Sequence, residues 1–252
     1  MKKIAVLLVT LLFSITAFCN EVTFSQSASY LNIACFSDNE KDIYAADKSF
    51  GSNTNINLTT DYVNASVAAA LHKNYKAVNA SINPHYAIND IVTLEGNIVY
   101  NLSNVDYTSI TKVERNVTDQ NLVANVGISL QSSFWIFDVK VGAYVGYTPF
   151  YYNFKNLCET IFNINIDISK YVSVYFSIES FQESISFANF YPQFVKNTYG
   201  VNVHYTFNNG ITVFASYDYF CAHPEKPWKE NIDLYNKCEG FATLGIKYAL
   251  PF

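Results

Sequence analysis

The fold is decided by residues 121–147, which read NLVANVGISLQSSFWIFDVKVGAYVGY. In the first half, Asn121 and Asn125 alternate with an apolar set formed by Leu122, Ala124, Val126, Ile128 and Leu130. In the second half, Asp138 and Lys140 alternate with Trp135, Phe137, Val139, Val141, Ala143, Val145 and Tyr147. Because successive side chains of a β-strand point to opposite faces, this period of two predicts two amphipathic strands. The polar pair Ser132-Ser133 predicts a tight turn between them.

The same period continues on both sides of this stretch. Further runs lie near 91–102, 162–168, 172–179, 199–207, 211–219 and 243–252, and two earlier runs lie near 61–71 and 77–88. Short polar turns near 89–90, 132–133, 169–170 and 208–210 alternate with longer connections near 104–119, 149–159, 182–196 and 221–239. This arrangement predicts an all-β fold, a transmembrane up-and-down antiparallel β-barrel. We expect about ten strands, within a range of roughly eight to twelve.

Three features place the apolar face of these strands toward lipid. The strands have about the length of a tilted bilayer crossing. Aromatic residues collect at both strand ends, as Tyr86, Phe134, Trp135, Tyr171 and Phe207 beside short turns and Tyr147, Phe150, Tyr151, Tyr152, Tyr217 and Tyr219 beside long loops. The opposite face is expected to line the lumen with Glu95, Asp138, Lys140, Asp167, Glu179, His204, Asp218 and Lys247. A soluble lipocalin-like barrel, whose apolar face points inward, is the alternative.

The last strand carries the most specific motif. It places hydrophobic residues at every second position and ends on an aromatic residue, as Leu244, Ile246, Tyr248, Leu250 and Phe252. This resembles the signal by which bacterial outer-membrane proteins engage their assembly machinery. From about residue 55 to 252 the chain is similar to small bacterial outer-membrane β-barrel proteins, although no subfamily motif is complete. The resemblance implies a location in the outer membrane, with lipid and the assembly machinery as partners.

The chain begins with a segment typical of export. Lys2 and Lys3 precede an apolar run at 4–18, and Ala17 and Cys19 have the spacing of a signal-peptidase site. An uncleaved anchor and lipidation of Cys19 are the alternatives. The predicted segments are a signal peptide at 1–19, an N-terminal segment at 20–54 for which extra strands are an open alternative, and the barrel at 55–252.

The remaining cysteines suit an oxidising compartment. Cys221 closes one predicted strand and Cys238 opens the next, so we predict a disulfide between them. A bridge between Cys35 and Cys158 is a weaker alternative. No CxxC or paired Cys-His spacing occurs, so no metal site is expected.

Composition and motifs exclude several functions. Lys plus Arg number 16 against 21 for Asp plus Glu, which argues against a nucleic-acid partner. No common hydrolase or nucleotide-binding motif occurs, so we expect no catalytic residues and no cofactor. An outer-membrane hydrolase or acyltransferase that uses His204 or His223 is the least favoured function.

Two functions rank above the enzyme. The first is a narrow porin-like channel for small cationic or amphipathic solutes, because carboxylates outnumber lysines on the predicted lumen face. Side chains that plug the lumen are an alternative within this hypothesis, since barrels of about eight to ten strands leave little free space. The second function is structural or adhesive, through long loops that contain the aromatic residues Phe187, Phe190, Tyr191 and Phe194.

Overall fold

Twelve β-strands make up the described part of the chain. The computed structural model describes residues 20–36, 43–109, 112, 114–134, 137–151, 154–182, 194–223 and 236–251. The strands are β1 (Glu21–Phe36), β2 (Ile43–Thr59), β3 (Val63–His72), β4 (Tyr75–Ala87), β5 (Val92–Ser109), β6 (Glu114–Phe134), β7 (Phe137–Tyr151), β8 (Phe154–Ser169), β9 (Val172–Gln182), β10 (Phe194–Thr206), β11 (Ile211–His223) and β12 (Asn236–Pro251). Within these residues, no helix is long and apolar enough to cross a membrane. The predicted signal peptide lies outside them.

The strands form one closed antiparallel barrel. Each strand pairs with its neighbour in the sequence, and β1 pairs with β12 to close the ring. The closing register runs from Glu21 opposite Pro251 to Phe36 opposite Asn236. Because the ring is closed, each described strand has a hydrogen-bonded neighbour on both sides and no sheet edge is left exposed among them. The prediction of an all-β, up-and-down antiparallel barrel is therefore confirmed.

The predicted number of ten strands is wrong, because the barrel has twelve. The two strands outside the count of ten are β1 and β2, in the segment for which extra strands are an open alternative, and the predicted boundary between residues 54 and 55 falls inside β2. By the register, Gln26, Ser52 and Thr54 lie on the same outward face as Phe24 and Leu58. This face is too polar to show the contrast on which a period-of-two reading depends.

Two stretches predicted as long loops, 104–119 and 149–159, are mostly strand. In β5, Val105 and Tyr107 are buried while Asp106 between them is exposed. Near the start of the same strand the pattern is reversed, since the apolar residues Leu94 and Ile98 are exposed. The apolar residues therefore change from the outer face to the inner face near one end of the barrel. A strand prediction that follows apolar residues at every second position ends at that point.

The barrel has a turn end and a loop end. The turn end carries the short connections at 60–62, 88–91, 170–171 and 207–210, together with the first residue of β1 and the last described residue of β12. In the last of these turns, Gly210 has a φ of 82°, a conformation that favours glycine. The loop end carries the turn at 73–74 and the strand ends that flank the predicted loops at 182–196 and 221–239.

The hairpin of β3 and β4 is shorter than its neighbours and ends inside the wall. Beyond its turn at 73–74, β2 pairs directly with β5 through Tyr44 opposite Ser109 and Ala45 opposite Thr108. The backbone N–H of Asp106 donates to the carbonyl of Asn74 at 3.0 Å and joins the turn to β5. The ring thus contains twelve strands at the turn end and two fewer at the loop end.

An outer belt of exposed apolar side chains surrounds the barrel. Its members include Leu94, Ile98, Val126, Ile128, Leu130, Val145, Phe162, Phe176, Ile178, Val201, Val203, Val213, Leu244 and Ile246. Exposed aromatic residues lie toward the turn end, as Tyr62, Tyr86, Tyr171, Tyr205 and Phe207, and toward the loop end, as Tyr147, Tyr199 and Tyr217. A continuous apolar surface of this extent is expected to be covered by another apolar phase.

Gly51 occupies a position in β2 where a larger residue would not fit. It lies opposite His72, and a Cβ atom there would lie 2.6 Å from His72 Cδ2, with the backbone oxygen of Leu71 also in contact. We expect Gly51→Ala to destabilise the folded barrel by about 1–3 kcal/mol through overpacking. Urea unfolding in detergent micelles would measure this loss. The neighbouring exposed position provides the control, since Ser52→Ala should change stability little, and equal stabilities for the two variants would contradict the prediction.

Candidate functional site

The barrel interior is the candidate site, and strand register assigns the residues that face it. Opposed residues in an antiparallel ladder lie on the same face of the sheet. One face carries the exposed apolar belt, whereas the other carries buried polar residues such as Thr23, Ser29, Ser129 and Glu159. The buried polar face is therefore the inner face.

All eight residues predicted to line the lumen occupy positions on this inner face. Asp138 lies opposite Asp167, Lys140 lies opposite Asn165, and Glu179 lies opposite Ile161 and Lys196. His204 pairs with Phe214, and Asp218 pairs with Gly200. Lys247 pairs with Thr212 and Ser25, and Glu95 pairs with His85 and Gly127. Of these eight residues, Glu95 and Lys140 form an ion pair with each other.

Glu95 is the centre of a polar cluster on β5, β6 and β7. Its Oε1 atom accepts from Lys140 Nζ at 2.5 Å and from Ser129 Oγ at 2.8 Å. Its Oε2 atom accepts from the hydroxyl of Tyr144. Three donors restrict the position of this carboxylate, because each makes a charge-assisted hydrogen bond to one of its two oxygens. The cluster links the three adjacent strands β5, β6 and β7 on the inner face.

A second cluster joins β6, β8, β9 and β10 nearer the loop end. Lys196 Nζ lies 3.0 Å from each carboxylate oxygen of Glu179. Glu159, which is 1% exposed, accepts from Asn125 Nδ2 at 3.3 Å. Asp218 belongs to a third group, in which Tyr175 and Ser216 donate to it at 2.7 and 3.1 Å. The inner wall is thus ordered by carboxylates with local donors.

Two cavities lie inside the barrel along this wall. One of about 440 Å³ is lined by Glu95, Lys140 and Tyr144 together with His85 and Asn163. The other, of about 350 Å³, is lined by Glu159, Glu179 and Lys196 and by the aromatic residues Tyr75 and Phe241. They share Asn97, Asn125 and Ile161 as lining residues, so the two cavities adjoin. Together they form a polar space that extends along the inside of the wall.

An inner apolar layer bounds this polar space toward the loop end. The layer consists of Leu31, Ile33, Val105 and Tyr107, which are buried against one another, with Tyr75, Val117 and Phe241 packed beside them. Leu157 and Phe181, also buried, occupy inner positions on β8 and β9. The layer lies at the end of the β3–β4 hairpin, since Val105 is opposite Tyr75, the first residue of β4.

Sequence reasoning missed several residues of the site. Tyr144 and Tyr175 are inward aromatic residues in strands whose other inner residues are mostly polar, so the alternation pattern concealed them. Glu159 and Lys196 lay in stretches predicted as loops. Lys196 and Glu179 carry opposite charges and lie on the inner faces of neighbouring strands. A search for such oppositely charged residues on the same face could have indicated this pair.

A buried Ser-His contact also occurs, at the end of β3. His72 Nε2 lies 2.9 Å from Ser29 Oγ, which accepts from Asn53 Nδ2 at 2.9 Å. His72 and Ser29 are both buried, and neither lines the two cavities. The contact lies in the inner wall where β3 ends. The side chain of His223, considered in the enzyme hypothesis, lies outside the described residues.

The cysteines fall at two separate places in the barrel. Cys221 lies opposite Cys238 in the register of β11 and β12, although the side chain of Cys238 is outside the described residues. Cys158 on β8 is a free thiol. The alternative bridge between Cys35 and Cys158 is wrong, because four strands separate β8 from β1 around the ring.

We therefore expect a disulfide between Cys221 and Cys238. Alkylation of the unfolded, unreduced protein should label Cys158 and leave these two cysteines unlabelled, and mass spectrometry of the digest should recover the linked peptide. Replacing both cysteines by serine should lower the free energy of unfolding by about 3 kcal/mol, because the bridge closes a loop of moderate length. Full labelling of Cys221 before reduction would refute the bridge.

Within the described residues, no group of three or more His, Cys, Asp or Glu side chains could hold a metal ion. A closed antiparallel barrel with an apolar outer belt and a charged, polar interior defines the class of this protein. It has the architecture of the transmembrane β-barrels.

Comparisons with known proteins find distant structural likenesses and no sequence match. No protein-family model matches the chain, and no curated protein sequence matches it. Among solved structures, the chain is similar to the translocator domain of the autotransporter NalP from Neisseria meningitidis, at 11% identity and a TM-score of 0.48 over 98% of this chain and 97% of that one. It is also similar to the NanC porin, at 12% identity and a TM-score of 0.49 over 88% of this chain and 100% of that one. The KdgM porin matches at 9% identity and a TM-score of 0.43 over 88% and 98% of the two chains.

Proposed function

We propose that this protein is a bacterial outer-membrane β-barrel that acts as a narrow, porin-like channel for small solutes and favours cations. The observation that carries the proposal is the pair of adjoining polar cavities inside a closed barrel.

The location follows from the outer belt. Strands cross a bilayer only when every backbone group is paired, which the closed ring provides. The residues of the predicted assembly signal fit this location, because Leu244, Ile246, Tyr248 and Leu250 are all exposed on the outer face of β12. Phe252 lies outside the described residues. We propose that lipid covers the belt and that export uses the segment at 1–19.

The charge of the inner face favours cations. Among residues with described side chains, the inner acids are Glu21, Glu95, Asp119, Asp138, Glu159, Asp167, Glu179 and Asp218. The inner lysines are Lys140, Lys196 and Lys247. Carboxylates that line a pore attract cations and repel anions. The inner apolar layer would restrict the flow, because an apolar constriction holds little water and so slows the passage of ions.

Planar-bilayer recording of the refolded chain without residues 1–19 tests this proposal. The expected result is small, discrete current steps with a reversal potential that shows K⁺ preferred over Cl⁻. Heat-dependent mobility in gel electrophoresis establishes that the barrel is folded and serves as the control. A folded barrel that inserts and carries no current would refute the channel.

The second candidate is a structural or surface-interaction barrel. The extension of β5 and β6 beyond the outer belt favours it. Its outward face is polar, with Asn116 donating to Asp106 at 2.5 Å and Asn104 donating to Thr118 at 2.9 Å. A polar rim of this kind is suited to contact with water or with a soluble partner. We propose no enzymatic activity.

A further inference from the structure

Glu159 on β8 is a carboxylate with little compensation for its burial. It is 1% exposed and lines the 350 Å³ cavity. Among the described residues, the neutral amide of Asn125 donates a hydrogen bond to it, at 3.3 Å. Burying a carboxylate is costly unless a cation lies beside it. A cation in the cavity would lie beside this carboxylate and offset the cost of its burial.

The nearby lysine is engaged with a different acid. Lys196 Nζ lies 3.0 Å from both oxygens of Glu179, so its ammonium group is placed symmetrically on that carboxylate. Both acids and the lysine line the same cavity. Two carboxylates with one ammonium leave a net negative charge, and the Lys196–Glu179 pair shows how an ammonium group is held on this wall.

Another part of the cavity wall is aromatic and apolar. Tyr75 and Phe241 line it, with their ring centroids 5.7 Å apart in an edge-to-face arrangement. Val99 and Val123 extend the apolar surface. Aromatic faces attract ammonium groups and also cover short alkyl chains. The cavity volume lies at the small end of the range for ligand sites.

We propose that this cavity is a binding site for a small organic cation, a primary alkylammonium whose charged group lies on Glu159 and whose alkyl chain lies against Tyr75 and Phe241. The inference deepens the proposed function and rests on it, since the lumen is the route by which such a solute reaches the cavity. An inorganic cation would use the carboxylate and leave the aromatic wall without a role.

Equilibrium binding tests this site without requiring current. Calorimetry on the refolded barrel in micelles would compare n-butylammonium chloride with n-butanol, butyrate and KCl. We expect butylammonium to bind and the other three to show no saturable heat. Glu159→Gln should weaken butylammonium binding on the order of tenfold, the usual loss when a charged hydrogen bond is removed. Asp90→Asn, which removes the same charge from the exposed turn after β4, should leave binding unchanged.

A second variant addresses the aromatic wall. Phe241→Leu keeps an apolar side chain and removes the ring, so it should weaken butylammonium binding while the barrel stays folded, as heat-dependent gel mobility would show. Saturable binding of KCl that equals that of butylammonium would overturn the proposal, as would full affinity in Glu159→Gln.

The two proposals fail separately. A barrel that conducts but does not bind butylammonium retains its channel function and loses this site. A barrel that binds butylammonium through Glu159 and carries no current retains the site and loses the channel function.

Discussion

Opening the inner apolar layer is expected to raise the single-channel conductance several-fold. The change is the double substitution Leu31→Ser and Val105→Ser, which places hydroxyl groups on β1 and β5 where both residues are now buried in the layer. Polar side chains at a constriction retain water, and a hydrated constriction lets ions pass. Planar-bilayer current at fixed voltage is the measurement.

Asn104→Ser is the matched control for this prediction. Asn104 is adjacent to Val105 in β5, and its side chain takes part in the outward ladder with Asn116. This variant changes the same strand at the same height and leaves the interior as it is, so its conductance should equal that of the unmodified barrel. Loss of two buried apolar side chains also lowers stability by several kcal/mol, so heat-dependent gel mobility should accompany each recording. Unchanged current in a folded double variant would show that the layer does not limit flow.

Ion selectivity is expected to respond in opposite directions to the two members of the Glu95–Lys140 pair. Glu95→Gln should lower the ratio of K⁺ to Cl⁻ permeability, and Lys140→Gln should raise it. The reason is electrostatic, because Glu95 and Lys140 face a cavity that a passing ion would occupy. A unit charge about 8 Å from an ion in water contributes ~0.5 kcal/mol, with opposite sign for K⁺ and Cl⁻, so the ratio should change about sixfold at low ionic strength.

Reversal potentials in a salt gradient measure this ratio directly. Salt concentration provides an internal check, since the effect of each substitution should diminish as ionic strength rises. Asp90→Asn lies outside the lumen and should leave the ratio unchanged. If both lumen substitutions shift the ratio in the same direction, the current does not pass the pair.

The site was predictable where polarity follows the strand period. The eight charged or titratable residues assigned to the lumen from the sequence all occupy inner positions in the register. Alternation specifies the face of each residue, but it does not indicate which strands are close across the barrel. The sequence could not show that Glu95, Lys140 and Tyr144 meet, since these contacts depend on the stagger of neighbouring strands.

The sequence by itself determined an all-β chain, the antiparallel order of its later strands, and the division between an apolar and a polar face. These properties are local, because a side chain's face follows from its parity along the strand. Tertiary structure alone decided the number of strands, since β1 and β2 carry too little contrast in polarity and are held by pairing on both sides. It also decided where the hydrophobic pattern reverses. We propose that water and not lipid surrounds the barrel at its loop end, beyond the outer belt. Apolar side chains such as Leu31 and Val105 therefore pack inward there, and polar side chains face outward.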